Sequence, residues 1–127
     1  MNSQKTLRVG MLGCGVVGGE VARLIIANQK DLTARSGAQL DLVKIGVRNL
    51  ARPNVAKELL TTDLDSIVKD ADIDLIIEVI GGIEPARTLI LEALKNRKSV
   101  VTANKALLAK HGAELFAAAD QGGVDLY

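Results

Sequence analysis

The chain has 127 residues, 48% of them hydrophobic and 24% charged, enough for one domain with a packed core and too few for two. Sixteen basic side chains balance fifteen acidic ones, and only 2% of residues are aromatic. That balance argues against a polyanion-binding arm or a stacking surface for single-stranded nucleic acid. No apolar run reaches membrane-spanning length, and the N-terminus lacks a signal-peptide core. The single cysteine, Cys14, excludes an internal disulfide framework and a cysteine-rich zinc site. A cytoplasmic protein with no nucleic acid and no membrane among its partners is the expectation.

Residues 1–6 are polar. The apolar run Leu7 to Leu12 predicts a first strand, and it leads into glycines at Gly13, Gly15 and Gly18. A helical stripe of Val17, Val21, Leu24 and Ile25 starts at once and extends to about Ala27. This is G-x-G-x-x-G with a strand before it and a helix after it, the context in which the pattern predicts a dinucleotide-binding loop. Gly13 permits the tight turn, Gly15 lets the backbone approach a pyrophosphate, and Gly18 lets the helix lie close to the strand. The first helical amides lack internal acceptors, so they and the helix dipole can receive phosphate charge. Asn28 to Arg35 adds a further turn or two before a stop at Ser36-Gly37.

Leu40 to Val47 reads as a second, buried strand, followed by a polar exit loop from Arg48 to Pro53. Leu59 to Thr61 is a short strand, and Thr62 or Asp63 caps a short helix running to Lys69. Ile73 to Ile80 is another buried strand, closed by Gly81-Gly82. Pro85 suits the first turn of the next helix, whose apolar stripe is Ala86, Leu89, Ile90, Ala93 and Leu94. Ser99 to Thr102 is a strand. Asn104 to Gln121 is a helix with a break near His111-Gly112. Gly122-Gly123 then turns the chain into Val124 to Tyr127, the start of another strand. This alternation predicts an α/β fold: a Rossmann-type, doubly wound parallel sheet with helices on both faces, formed by a single domain over residues 1–127.

The end of the second strand reads the adenosine ribose in such folds, and NAD sites usually place a carboxylate there. Here the strand ends on Arg48, which can form charge-assisted bonds to a 2′-phosphate. Arg52 and Lys57 would add to the positive patch. NADP(H) is therefore the expected cofactor, with NAD(H) as the alternative, and a solvent-exposed loop arginine is the plainer reading. Glu78 lies within an apolar strand and has two readings: a group of the ligand crevice, or a structural carboxylate bonded to loop amides. Gly81-Gly82 would let the backbone pass close to a nicotinamide. Thr102-Ala103-Asn104-Lys105 forms a second strand-end cluster. A lysine there can polarise a carbonyl or exchange a proton with it, although a surface helix lysine has the same appearance. His111 reads as a helix-end residue and Cys14 as filler in the loop. With one histidine and one cysteine, no metal site is expected.

The segments VGMLGCGVVGGEVARLI, GVRNL, DLIIEVIGGIEPA and VVTANKALLAKHG together resemble bacterial homoserine dehydrogenases of the monofunctional type, and the resemblance runs through essentially the whole chain. The last two segments are far more specific than the glycine loop. The resemblance implies an NAD(P)-dependent oxidoreductase that interconverts L-homoserine and L-aspartate 4-semialdehyde in threonine and methionine biosynthesis, and acts as a homo-oligomer. It implies pyrophosphate binding by Gly13, Gly15, Val16, Val17 and Gly18, and 2′-phosphate binding by Arg48. Ile80 and Gly81 would border the cofactor, with Thr102 and Asn104 completing the cofactor-binding set. Lys105 would stand beside the nicotinamide and take part in catalysis.

The family continues into a substrate-binding and dimerisation domain with the homoserine contacts, a further catalytic lysine and a monovalent-cation site. Bifunctional members also carry an aspartate kinase region upstream. The expectation is that these residues form the nucleotide-binding domain, truncated before the catalytic domain, and bind cofactor without turnover. A strand edge and apolar surface exposed at the cut would invite self-association. Two other readings stand beside this one. The first is another small NADP-dependent dehydrogenase. The second is a non-catalytic nucleotide sensor like the Rossmann units of potassium channels, which has no use for a crevice lysine.

Overall fold

The computed structural model describes residues 5–13, 38–48 and 57–127. Cys14 to Gly18, the helix expected after them, and the exit loop from Asn49 to Pro53 with Arg52 lie outside the described residues. The strands are β1 (Lys5–Leu12), β2 (Ala38–Gly46), β3 (Leu60–Thr61), β4 (Leu75–Glu78) and β5 (Ser99–Thr102). The α-helices are α1 (Leu64–Lys69), α2 (Ala86–Lys95) and α3 (Lys105–Gly122), and a 3-10 turn spans Lys57–Leu59. All pairings are parallel, in the order β3-β2-β1-β4-β5. The chain winds outward from β1 through β2 to β3, then returns to the other side of β1 for β4 and β5. The order reverses between β1 and β4, which makes that junction the place where an open α/β sheet forms its ligand crevice.

Within the described residues the predicted elements recur with shifted ends. β1 starts two positions earlier than Leu7 because pairing of Lys5 with Ala38 extends the ladder. β4 is shorter than the expected Ile73–Ile80. Its entry is taken by a turn in which the Ile73 amide donates to Asp70 O at 3.1 Å, and its exit by the loop that carries Gly81 and Gly82. Asp63, rather than Thr62, caps α1, accepting from the Ser66 amide at 3.2 Å. Pro85 stands at the N-cap of α2 and has no side chain to close that end. Glu84 does so instead, accepting from the Thr88 hydroxyl at 2.8 Å and the Thr88 amide at 3.0 Å. The Thr88 hydroxyl bond is the main reason its carboxyl lies below the usual range. The break expected in α3 is present at His111, whose φ of −128° and ψ of 16° leave the helical region.

The core is aliphatic and lies on both sides of the sheet. On one side Leu12, Ile76 and Val100 meet Ile67 and Val68 of α1, the Ala86, Leu89, Ile90, Ala93 and Leu94 stripe of α2, and Leu107, Leu115 and Ala119 of α3. On the other side Val9, Met11, Leu42, Ile45, Val47 and Leu60 form a second cluster. The described helices therefore cover one face, and the helix predicted for the other falls outside the described residues. Gly10 and Gly46 let α1 sit close on the sheet: a Cβ on Gly10 would stand 2.5 Å from an Ile67 methyl. Beyond α3, Gly123 adopts the left-handed cap at φ +67°. Leu126 then bridges in parallel to Val100, so the strand expected at Val124 to Tyr127 begins along the outer edge of β5.

Candidate functional site

Leu12, Glu78 and Thr102 are register neighbours, one at the C-terminal end of each of β1, β4 and β5. Immediately beyond Leu12, Gly13 turns the chain at φ +94° and donates its amide to Gly46 O at 2.8 Å. A Cβ at this position would stand 3.1 Å from Ile80 N and 3.2 Å from Ile80 Cα. The opening of the glycine loop thus lies directly against the loop that leaves β4. That loop continues through Gly81 and Gly82, both exposed and both at positive φ, where an added Cβ would meet nothing within 4 Å.

Glu78 is fully buried beneath this loop. Its Oε2 accepts from the amides of Ile80 at 2.9 Å and Gly81 at 3.2 Å, and its Oε1 accepts from the Thr102 hydroxyl. Three donors converge on an acceptor-only group, which satisfies a carboxylate that would otherwise be costly to bury. Of the two readings of Glu78, the structure selects the carboxylate bonded to loop amides. Thr102 Oγ1 accepts in turn from the Asn104 amide at 3.0 Å. Asn104 is almost fully buried. Its Oδ1 caps α3 by accepting from Leu107 N at 3.1 Å, and its Nδ2 donates to Gly82 O.

Lys105 is the first residue of α3 and is exposed. It therefore stands beside the 78–82 loop, tied to it through Asn104 and Thr102, in a setting suited to a charged ammonium. Arg48 is exposed just past the end of β2, where the Val47 amide donates to Thr61 O at 2.8 Å. Of the predicted site residues, Gly13, Ile80, Gly81, Thr102, Asn104 and Lys105 are brought together at the ends of β1, β4 and β5. Arg48 stands apart at the end of β2. Gly15, Val16, Val17 and Gly18 lie outside the described residues. Glu78 and the Gly82 carbonyl, absent from the predicted set, hold the cluster together. The signal for Glu78 was a lone carboxylate in the run IIEVI, and for Gly82 the capping residue Asn104 at a crevice-side helix.

His111, at the α3 kink, holds Nδ1 3.8 Å from Glu114 Oε2, and Glu114 also accepts from Arg87 of α2. This charged group joins two helices on the outside of the fold. It is no part of the crevice cluster.

Residues 13–127 match the family model described as homoserine dehydrogenase, NAD binding domain. The chain belongs to the homoserine dehydrogenase family. It is 50% identical over 125 residues to a homoserine dehydrogenase of Mycobacterium tuberculosis, covering 98% of this chain and 28% of that protein. To the Bacillus subtilis homoserine dehydrogenase it is 40% identical over 126 residues, covering 97% of this chain and 29% of the other. The crystal structure of a homoserine dehydrogenase from Thiobacillus denitrificans matches with a TM-score of 0.93 at 43% identity, over 99% of this chain and 30% of that one. The chain spans under a third of the length of these homoserine dehydrogenases. The part it matches is the family's NAD-binding domain, and its sheet is the Rossmann-type sheet expected of one.

Proposed function

We propose that these residues are the NADP(H)-binding domain of a homoserine dehydrogenase, a cytoplasmic, homo-oligomeric enzyme of threonine and methionine biosynthesis that interconverts L-homoserine and L-aspartate 4-semialdehyde. The observation that carries this is the junction at the sheet's switch point, where Gly13 lies against the Ile80 backbone and Asn104, at the start of α3, donates to the Gly82 carbonyl of the same loop. The fit to a dinucleotide rests on the same geometry. Gly13 lies where a Cβ would crowd the Ile80 backbone, and the Gly81-Gly82 surface stands open above it. A nicotinamide cofactor held there would supply the hydride chemistry. Gly13, Gly15, Val16, Val17 and Gly18 hold the pyrophosphate, and Ile80, Gly81, Thr102 and Asn104 border the nicotinamide half. Lys105 would act on the carbonyl of the semialdehyde, polarising the oxygen where negative charge grows during reduction.

Arg48 decides between the two cofactors. A charge-assisted bond to the 2′-phosphate is worth about 1.5–3 kcal/mol, or roughly 10- to 150-fold in affinity. The test is a titration of the chain with NADPH and with NADH at one ionic strength, for the wild type and Arg48→Ala. NADPH preferred by the wild type, and lost selectively in Arg48→Ala, is the expected result. Equal losses for both cofactors would remove the 2′-phosphate role. Binding of neither cofactor by a chain with native circular dichroism would overturn the dinucleotide reading itself. For Lys105, the measurement is turnover by the full-length enzyme carrying Lys105→Ala. Its rate should collapse while cofactor affinity is largely kept.

A further inference from the structure

Among the described residues the buried charged side chains are Glu78 and Lys98. Lys98 precedes β5, at the opposite end of the sheet from the crevice, so Glu78 is the buried charge at the site. An apolar side chain would fill the space beside Leu12 and Ile76 as well as a glutamate does. What the carboxylate adds is the organisation of three donors from two separate pieces of chain. Its Oε2 takes the Ile80 and Gly81 amides, and its Oε1 takes the Thr102 hydroxyl. The same hydroxyl oxygen receives the amide of Asn104, the cap of the helix that begins with Lys105.

We propose that Glu78 is a positioning residue for the reaction. It sets the spacing between the Ile80-Gly81 backbone and the first turn of α3, and so fixes the position of Lys105 at the crevice, without touching cofactor or substrate. The inference rests on the catalytic assignment of Lys105 above.

The chemistry requires an acceptor at both oxygens. A glutamine of nearly the same shape has one acceptor oxygen. Turned one way, its NH2 group faces the Ile80 and Gly81 amides, donor against donor. Turned the other way, it donates to Thr102 Oγ1, and the threonine hydrogen loses its buried acceptor. Either orientation loosens one side of the link. A misplacement of about 1 Å at a reacting centre can cost on the order of 100-fold in rate.

The experiment compares Glu78→Gln, Thr102→Val, their double variant and Lys105→Ala in the full-length enzyme, measuring kcat, KM and the NADPH Kd. Glu78→Gln is expected to lower kcat about 10- to 100-fold with the NADPH Kd within about threefold. Thr102→Val should lower kcat similarly. The double variant should be no worse than the weaker single variant, because both changes cut one link. If Glu78→Gln does not fold, Thr102→Val decides, since it keeps the side-chain shape and leaves the carboxylate in place. A wild-type kcat in Glu78→Gln beside an inactive Lys105→Ala overturns the positioning role alone. So do losses that multiply in the double variant, or a rise in NADPH Kd that accounts for the whole effect. A normal rate in Lys105→Ala overturns the positioning role and the catalytic assignment together.

Discussion

Gly13 shows how one residue is held to its type by two constraints at once. Its φ of +94° is a conformation that side-chain-bearing residues rarely adopt, and the Ile80 backbone occupies the space a Cβ would need. Neither constraint can be relieved by turning a flexible side chain aside, because the neighbour is main chain. Gly13→Ala is therefore expected to cost about 1–3 kcal/mol in backbone strain, read as a lower denaturation midpoint. Because the strain would push the loop after β4 away from the end of β1, NADPH affinity should fall with it. An alanine variant with unchanged stability and unchanged NADPH affinity would remove Gly13 from the site.

At the scale of elements, β4 and β5 are joined at both ends by buried charge, in different ways. At the crevice end the link is Glu78 to Thr102. At the far end Lys98 is 2% exposed and donates from Nζ to the carbonyls of Ile73, at 2.8 Å, and of Asp70. It thereby holds the turn entering β4 against the start of β5. Burial pushes the Lys98 ammonium below its ordinary range, and the nearby Asp70, Asp74 and Asp72 carboxylates only partly oppose the shift. The folded chain then releases the proton before the unfolded chain does. Below the folded value both states are protonated and the full desolvation cost is present. As pH rises from there toward the ordinary value of 10.5, the unfolded state holds more protons and the cost is relieved. The neutral amine keeps two N–H groups for its two carbonyls. The stability difference between the wild type and Lys98→Met should therefore shift in favour of the wild type as pH rises toward 10.5. Denaturant unfolding of both proteins across the alkaline range measures it, and parallel pH profiles would contradict the assignment.

The molecule as a whole depends on aliphatic packing, since aromatic residues make up 2% of the sequence. One cluster joins β1, β4 and β5 to all three described helices, and Ile76 lies within it, fully buried on β4. Ile76→Ala is expected to cost about 2–5 kcal/mol. The denaturation midpoint should fall with little change in the dependence on denaturant, because the surface exposed on unfolding is nearly unchanged. A loss below 1 kcal/mol would mean that the space collapses around the smaller side chain. The switch point, the crevice and the burial of Glu78 all depend on this cluster holding α2 and α3 on the face of the sheet that Glu78 shares.

Much of this architecture is written in local chemistry. The strand Ser99–Thr102, a cap at Thr62 or Asp63, the apolar stripe of α2 and the break at His111 each depend on a few neighbouring residues, and each is legible in the sequence. So is the grouping of Gly13, Gly81 and Lys105 at strand ends, because alternating strands and helices imply a parallel sheet whose C-terminal ends gather on one side. What periodicity could not settle was the role of Glu78, since a carboxylate in an apolar strand suits a ligand site and a structural bond equally well. That was decided by the register of Leu12, Glu78 and Thr102, which pairs residues far apart in the chain. The burial of Lys98 and the strand begun by Leu126 beside β5 were decided in the same way. Local sequence sets propensity, caps and turns over a span of a few residues. Which distant donors meet a buried charge is set only when the strands pair.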